Sequence, residues 1–528
     1  MFYRKHLQRM KLAAIDIGTN SIHMVIVEVT KKRSFEVIDR EKEMVKLGAG
    51  VFATKRLNDT AFEKGLETIR RYVQLADQYG VDEIITGATS AIREAQNGGE
   101  FLDEVIRQTG ISPEVISGGK EARLIFLAVR HAIALQGEKA LVIDIGGGST
   151  EVVVGNDTEI LFGKSMKLGV LRLLDMFGGK GPVGEKALGE LEAHIQFVAQ
   201  SVMEEVRALG FTKVIGTSGT IRTLGETAHL AAGGKPFRTI NAEVVPLSDL
   251  EKLSKQLLAM KPEKRASISG ISEIRTDAIH LGGILLVKLL QMAGAHELTL
   301  CEASLREGLI IDYLERHAKS IDTFPEFKDL RHRSVAQLAH QFEADWEQTS
   351  HVARLSLQIF DQTQALHACN SFQRDMLEFA ALLHSVGQHI RFRSYHKHSC
   401  YIIENTGLRG FNDEEILLIG QVVRYHRKSP LKKKHKKYKM LSKEHRRTVQ
   451  VLSGILRMAV ALDRTKNQVV RDIHCEISDK QLTLQIKGRD TGMELELWTA
   501  MRHRKPLAKA LGRKLKLELQ KDEDFVNV

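Results

Sequence analysis

The first apolar stretch of the chain, KLAAIDIGTNSIHMVIVEV, sets two runs rich in Ile, Val and Ala on either side of Gly18, Thr19 and Asn20. β-Branched side chains suit a pleated surface and glycine permits a tight turn, so the pattern predicts strand, turn, strand. Further strands are predicted at 83–86 and 140–145, with amphipathic helices near 59–79, 99–109 and 120–135. Strands alternating with helices predict an α/β fold. IDIGTNSIHMVIV at 15–27 is echoed by IDIGGGSTEVVVG at 143–155, which reads as an internal duplication. A third glycine-rich turn, VIGTSGTIRTLGE at 214–226, follows a helix and a short strand and opens another helix. After FPEF at 324–327 the pattern becomes helical as far as 465, and from 471 to 518 it alternates like strands. The organisation predicted is two α/β domains, 1–135 and 136–320, a helical domain, 321–465, and a small α+β domain, 466–528.

Composition adds limits. At 528 residues the chain exceeds the size of a single growing core, and 43% hydrophobic with 27% charged residues argues against long disorder. No apolar run approaches the roughly 18 residues of a membrane span. The opening MFYRKHLQRM is basic and lacks the apolar stretch of a secretory signal, so a cytoplasmic location is expected. Cys301, Cys369, Cys400 and Cys475 lie too far apart for a disulfide framework or a CxxC knuckle, and buried reduced thiols are expected. Split at residue 320, the formal charge of +11 falls wholly in the C-terminal part: 41 Lys+Arg face 41 Asp+Glu before it, and 36 face 25 after it. Residues 424–447 hold twelve Lys/Arg and one acid, a field that attracts a polyanion or an acidic membrane surface, or else a solvated basic loop. Nucleic acid is a poorer fit to this segment, whose only aromatic stacking partners are Tyr425 and Tyr438.

Candidate chemistry gathers on the two related turns. Gly18 lets backbone approach an anion, and Thr19, Asn20 and Ser21 after Asp16 offer hydroxyl, amide and main-chain donors. Gly146, Gly147, Gly148, Ser149 and Thr150 repeat the arrangement, and two such turns face to face would clamp a phosphate chain. Asp144 and Glu151 flank the second turn as hard oxygen donors for Mg²⁺, with Mn²⁺ the alternative.

Taken together, DIGTNSIH, ATSAIREA, ISGGKEARLIF, VIDIGGGSTE, GTSGTIRTLGE and LREGLI resemble the exopolyphosphatase and guanosine pentaphosphate phosphohydrolase family. That family lies within the actin, sugar kinase and heat-shock chaperone superfamily of duplicated ribonuclease-H-like halves. The resemblance implies hydrolysis of a terminal phosphoanhydride in the cleft between the halves. It makes Glu121 the general base that activates water, and Arg93 a guanidinium beside the substrate phosphates. Arg275 becomes a second phosphate-facing arginine, with a salt bridge to Asp277 or Glu273 as the alternative. Gly216, Thr217, Ser218, Gly219 and Thr220 match the superfamily's nucleotide-base turn. The helical region looks like the histidine–aspartate phosphohydrolase fold found in long family members, with His384, His396, His398 and His426. Its dyad aspartate is replaced by Ser385, and loss of that hard ligand predicts no second metal-dependent site. The function expected is removal of orthophosphate from inorganic polyphosphate, guided by a track of Lys432, Lys433, Lys434, Lys436 and Lys437. Guanosine pentaphosphate is the alternative substrate, and a non-catalytic polyphosphate- or RNA-binding regulator is the rival from another class. A homodimer is the expected assembly.

Overall fold

β1 (Lys11–Ile17) and β2 (Ile22–Val29) pair antiparallel through a four-residue turn at 18–21, and β3 (Phe35–Glu43) adds to β2. β4 (Glu83–Ala88) and β5 (Glu114–Val115) complete a sheet of order β3-β2-β1-β4-β5. The second sheet repeats this plan. β6 (Ala140–Ile145), β7 (Thr150–Gly155), β8 (Ile160–Met166), β9 (Lys213–Thr217) and β11 (Glu297–Leu300) run in the order β8-β7-β6-β9-β11, with β10 (Val244–Pro246) added at the edge. The duplicated ribonuclease-H-like halves read from the two turns are therefore present strand for strand. This computed structural model describes residues 10–29, 35–179, 181–317, 329–427, 435–488 and 493–519.

Two compact units emerge, 1–326 and 327–528. Within the first, the helix Gly118–Ala132 and the helix Leu305–Arg316 share one apolar cluster with β1, β2, β6 and β7, through Leu12, Val25, Ile125, Val142, Val153 and Ile310. The last helix of this unit thus packs on the first half as well as the second, where the sequence pattern had placed it in 136–320. β6 and β7 are buried along their whole length, which is why they read as continuous apolar runs without alternation.

The second unit packs helices such as Trp346–Gln362, Ser371–Leu383, Asp413–Tyr425 and Lys443–Leu462 against a three-stranded sheet. In that sheet β13 (Gln481–Gly488) lies between β12 (Val470–Ile477) and β14 (Lys514–Leu519). Helices and sheet share a single core, with Leu377, Leu452, Ile473, Leu484 and Leu515 in one cluster, so the divide read at 465 does not separate two cores. Side chains stitch them: the Gln362 amide oxygen accepts from Cys475 N at 2.9 Å, and its nitrogen donates to Ile473 O at 2.7 Å. All four cysteines are free thiols; Cys301, Cys400 and Cys475 are buried and Cys369 is half-buried. No described helix is long and apolar enough to cross a membrane.

Candidate active site

Each half contributes one turn, and the two turns are built alike down to a hydrogen bond. Gly18 N donates to Ser21 O at 3.1 Å, and Gly146 N donates to Ser149 O at 2.9 Å. The helix Val170–Phe177 then fixes the second turn: Val170 N donates to Gly146 O, and Leu171 N to Gly147 O, while Arg172 Nε donates to Gly148 O at 2.7 Å. In a trans peptide each N–H points opposite the preceding carbonyl, so the N–H groups of Gly147, Gly148 and Ser149 are turned the other way. Arg172 is buried to hold this, paired with Glu94 at 2.5 Å and lying 4.0 Å over the Phe52 ring. In the first half, Lys46 N and Gly48 N take the carbonyls of Asn20 and Thr19 at 2.8 Å each, with the same result. The turns abut: a Cβ on Gly147 would lie 2.9 Å from Thr19 Cγ2, so only glycine allows the approach.

Between the turns lies a cavity of about 520 Å³. Asp16, Glu121, Asp144 and Glu151 line it with carboxylates, and its wall also carries Arg40, Lys42, Arg222, Arg275 and Arg306, with Glu302 paired to Arg40 among them. Burial, reinforced by the neighbouring carboxylates, lifts Asp16 and Asp144 each to about 7 and holds Glu151 well above its ordinary value. Glu121 is likewise raised by burial, with Arg93 pulling in the opposite direction. On the wall, burial and the neighbouring arginines push Lys42 down to about 8. Like charges held near one another in this way fit a site whose occupant carries the missing counter-charge.

Glu121 sits in the first turn of its helix, which Ser117 caps, and accepts from Arg93 Nη1 at 3.1 Å. Arg93 also donates to the Ile116 carbonyl and is not among the cavity-lining residues. It backs Glu121 and does not line the cavity, whereas the resemblance implied a place beside the substrate phosphates. Thr150 is also displaced from its expected role: fully buried in β7, it donates its hydroxyl to Leu168 O at 2.7 Å. Of the third turn, Ser218, Gly219 and Thr220 line the cavity, whereas Gly216 packs among Ile221 and Leu298, and Thr217 donates to the Ala303 carbonyl. Ser218 holds φ at +87°, a left-handed backbone that side chains rarely adopt. A Cβ on Gly219 would meet Arg275 Nη2 at 2.3 Å, so this glycine admits the guanidinium to the cavity wall.

Asp144 and Glu151 are direct partners across β6 and β7, where like charges repel, and both line the cavity. Among the described residues no three His, Cys, Asp or Glu form a ready-made cage. Two carboxylates facing one cleft is nonetheless a donor set that Mg²⁺ takes when substrate oxygens and water complete its shell. Among the lining residues not singled out from the sequence are His23, Lys42, Arg222 and Arg306. Three of them were within the quoted motifs DIGTNSIH, GTIRTLGE and LREGLI; Lys42, on a strand with no motif, carried no signal.

In the second unit His384, His396 and His426 are buried close together, with 5.5 Å between the rings of His384 and His426. His384 Nδ1 bonds the Ala381 carbonyl at 2.7 Å, and among the described residues the buried hydroxyl of Ser385 finds no hydrogen-bond partner. The fragment 327–528, which has its own core, is expected to release no phosphate from polyphosphate with Mg²⁺, Mn²⁺ or Zn²⁺. Metal-dependent release by the purified fragment would refute that. Lys432, Lys433 and Lys434 lie outside the described residues, as does the Lys436 side chain; Lys437 forms an ion pair with the buried Glu404.

Residues 25–317 match the Ppx/GppA phosphatase family, and residues 330–508 match Ppx/GppA phosphatase, domain III. The chain is 31% identical over 412 residues to the guanosine-5'-triphosphate,3'-diphosphate pyrophosphatase of Aeromonas hydrophila, covering 78% of this chain and 79% of that protein. The corresponding protein of Aeromonas salmonicida is equally similar. An exopolyphosphatase from Cytophaga hutchinsonii superposes with a TM-score of 0.55 at 29% identity, over 58% of this chain and 98% of that one. The Ppx/GppA family member of Aquifex aeolicus gives a TM-score of 0.50 at 26% identity over the same shares.

Proposed function

The chain belongs to the Ppx/GppA phosphatase family, and from that premise we propose that it hydrolyses the terminal phosphoanhydride of inorganic polyphosphate. Glu121 accepts a proton from a water placed in line with the terminal phosphorus; the new P–O bond forms as the bridging P–O bond breaks, and orthophosphate leaves. The main-chain N–H groups of the two turns and the arginine wall take up the charge on the phosphate oxygens. Asp144 and Glu151 are the residues that would hold Mg²⁺ or Mn²⁺, which supplies further positive charge to those oxygens when bound.

The observation that carries this reading is the lining itself: the buried carboxylates of Asp16, Glu121, Asp144 and Glu151, the five cations Arg40, Lys42, Arg222, Arg275 and Arg306, and among the described residues no Phe, Tyr or Trp on which a base would stack. Guanosine pentaphosphate is the second reading, favoured by the names of the Aeromonas proteins, which resemble both units. A non-catalytic polyphosphate binder fits less well, since burying four carboxylates is unfavourable unless they serve chemistry. Phosphate release from long polyphosphate and from guanosine pentaphosphate, measured side by side, tests the choice. The proposal fails if only the nucleotide is cleaved.

The basic segment gives a further expected result. Replacing Lys432, Lys433, Lys434 and Lys436 with Gln should flatten the salt dependence of affinity for long polyphosphate, because fewer counterions are released on binding; only the sign of the effect carries over from nucleic acids. Lys437 is best left intact, as removing it would strand the buried Glu404 carboxylate. Hydrolysis of guanosine pentaphosphate should barely change. Titrating salt against both substrates decides, and an unchanged slope restores the solvated loop.

A further inference from the structure

The two halves carry the same turn with one exchange of chemistry. Asp16 faces His23 across β1 and β2 at the register position where Asp144 faces Glu151 across β6 and β7. The second half closes with a carboxylate that accepts from Ser165 at 2.7 Å. The first half closes with an imidazole held between two partners: Nδ1 lies 2.8 Å from Arg306 Nη1, and Nε2 lies 2.7 Å from Ser21 Oγ.

A guanidinium donates hydrogen bonds and never accepts them. The ring nitrogen facing Arg306 therefore carries no proton. In the neutral ring the proton then sits on the nitrogen facing Ser21 and is donated to Oγ. A hydroxyl oxygen that accepts in this way keeps its own proton for another acceptor, and Ser21 lines the cavity beside Thr19 and Asn20. Arg306 is itself anchored, its Nε donating to Glu307 at 3.1 Å, while Glu307 caps its own helix through Ser304 N at 2.9 Å. A chain of fixed polarity thus runs from the helix cap into the cleft.

We propose that His23 is a positioning residue: Arg306 holds it as the Nε2–H tautomer, and this commits the Ser21 hydroxyl to donate its proton to an oxygen of the bound phosphate chain. The claim rests on the reading that a phosphate chain occupies this cleft. It divides the labour of the duplicated turns, the second half presenting carboxylates to a cation and the first half presenting donors to the anion.

The test is a double-substitution cycle read as the Kd for tripolyphosphate by calorimetry, in the Glu121→Gln background to prevent turnover. Ser21→Ala and His23→Leu should each weaken binding by about 10- to 100-fold, the range for a hydrogen bond to a charged group. The two together should be no worse than either alone. His23→Gln keeps an acceptor for Arg306 and a donor for Ser21, so it should recover most of the affinity. Additive losses, or no recovery with Gln, overturn the proposal. A second arm needs no substrate: ¹⁵N spectra of ring-labelled protein, with His23→Gln identifying the signal, should show His23 as the neutral Nε2–H tautomer at pH 7. An Nδ1–H or doubly protonated ring overturns the claim. If the parent fails to bind tripolyphosphate, the reading of the cleft fails with the phosphate contact, whereas the tautomer result still judges the Arg306–His23–Ser21 chain alone.

Discussion

Glu121→Gln is expected to lower phosphate release by about 10²–10⁴-fold, the range of a lost general base, while leaving substrate binding largely intact. The amide is nearly isosteric and its oxygen can still accept from Arg93, so the helix start and the cavity shape are kept. What is lost is the ability to take a proton from water. Removing this charge also removes one cause of the raised values at Asp16 and Asp144, so both should titrate at lower pH in the variant. In the unsubstituted enzyme, kcat/KM should fall as pH drops through about 7, where those two carboxyls become protonated and the proposed cation site loses the charge of Asp144. The groups interact, so the acid limb belongs to the set and not to one residue. Steady-state kinetics and thermal melts of the variant check the prediction together. A loss below about tenfold in a folded protein would remove Glu121 from the role of base.

Much of this site was legible because its chemistry is local. A glycine turn between two apolar runs specifies strand, turn and strand over little more than a dozen residues, and its recurrence at 143–155 exposes the duplication that the sheet orders repeat. Asp16, Ser21, Asp144 and Glu151 lie in those stretches, so their place in the cleft follows from short-range pattern, whereas Glu121, in the first turn of a neighbouring helix, was marked by the family resemblance. What was not legible depends on tertiary approach. Lys42 enters the wall from β3, an exposed strand whose sequence, FEVIDREKE, reads as ordinary charged surface. Arg93 sits within a quoted motif, yet only the fold shows that it backs Glu121 and does not line the cavity. Thr150 occupies the position in its turn at which the first half has Ile22, facing away from the site, and this becomes evident only once the two strand pairs are set in register. His23 was invisible as a functional residue for the same reason: its meaning comes from Arg306, 283 residues away in sequence.

Asp144→Asn is expected to raise the Mg²⁺ concentration for half-maximal rate by more than about tenfold, because an amide is a poorer ligand than a carboxylate for a hard cation. The same substitution should stabilise the metal-free protein at alkaline pH. The folded protein holds the Asp144 proton up to about 7, against 3.8 for an ordinary aspartate, with burial the main cause and Glu121 and Asp16 adding to it. A folded value above the unfolded one means that the group's contribution to stability is fully present below about 4 and is lost as pH rises through about 7. At pH 8 the ionised carboxylate therefore weighs against folding, by an amount whose ceiling is about 4 kcal/mol from the size of the shift. Asparagine cannot ionise, so the melting temperature of the variant should exceed that of the parent by a few degrees at pH 8 and differ little at pH 5. Mg²⁺ should raise the melting temperature of the parent at pH 8, since a ligand bound only by the folded state stabilises it, and should do so far less in the variant. Glu151→Gln should behave alike, as its carboxylate faces the same space from the opposite strand. Calorimetric melts with and without Mg²⁺ at the two pH values, beside a metal titration of activity, test both halves of the argument. Unchanged metal titrations in both variants would show that the pair does not hold the cation, and equal melting temperatures at pH 8 would show that burial and neighbouring charge do not destabilise the ionised carboxylates.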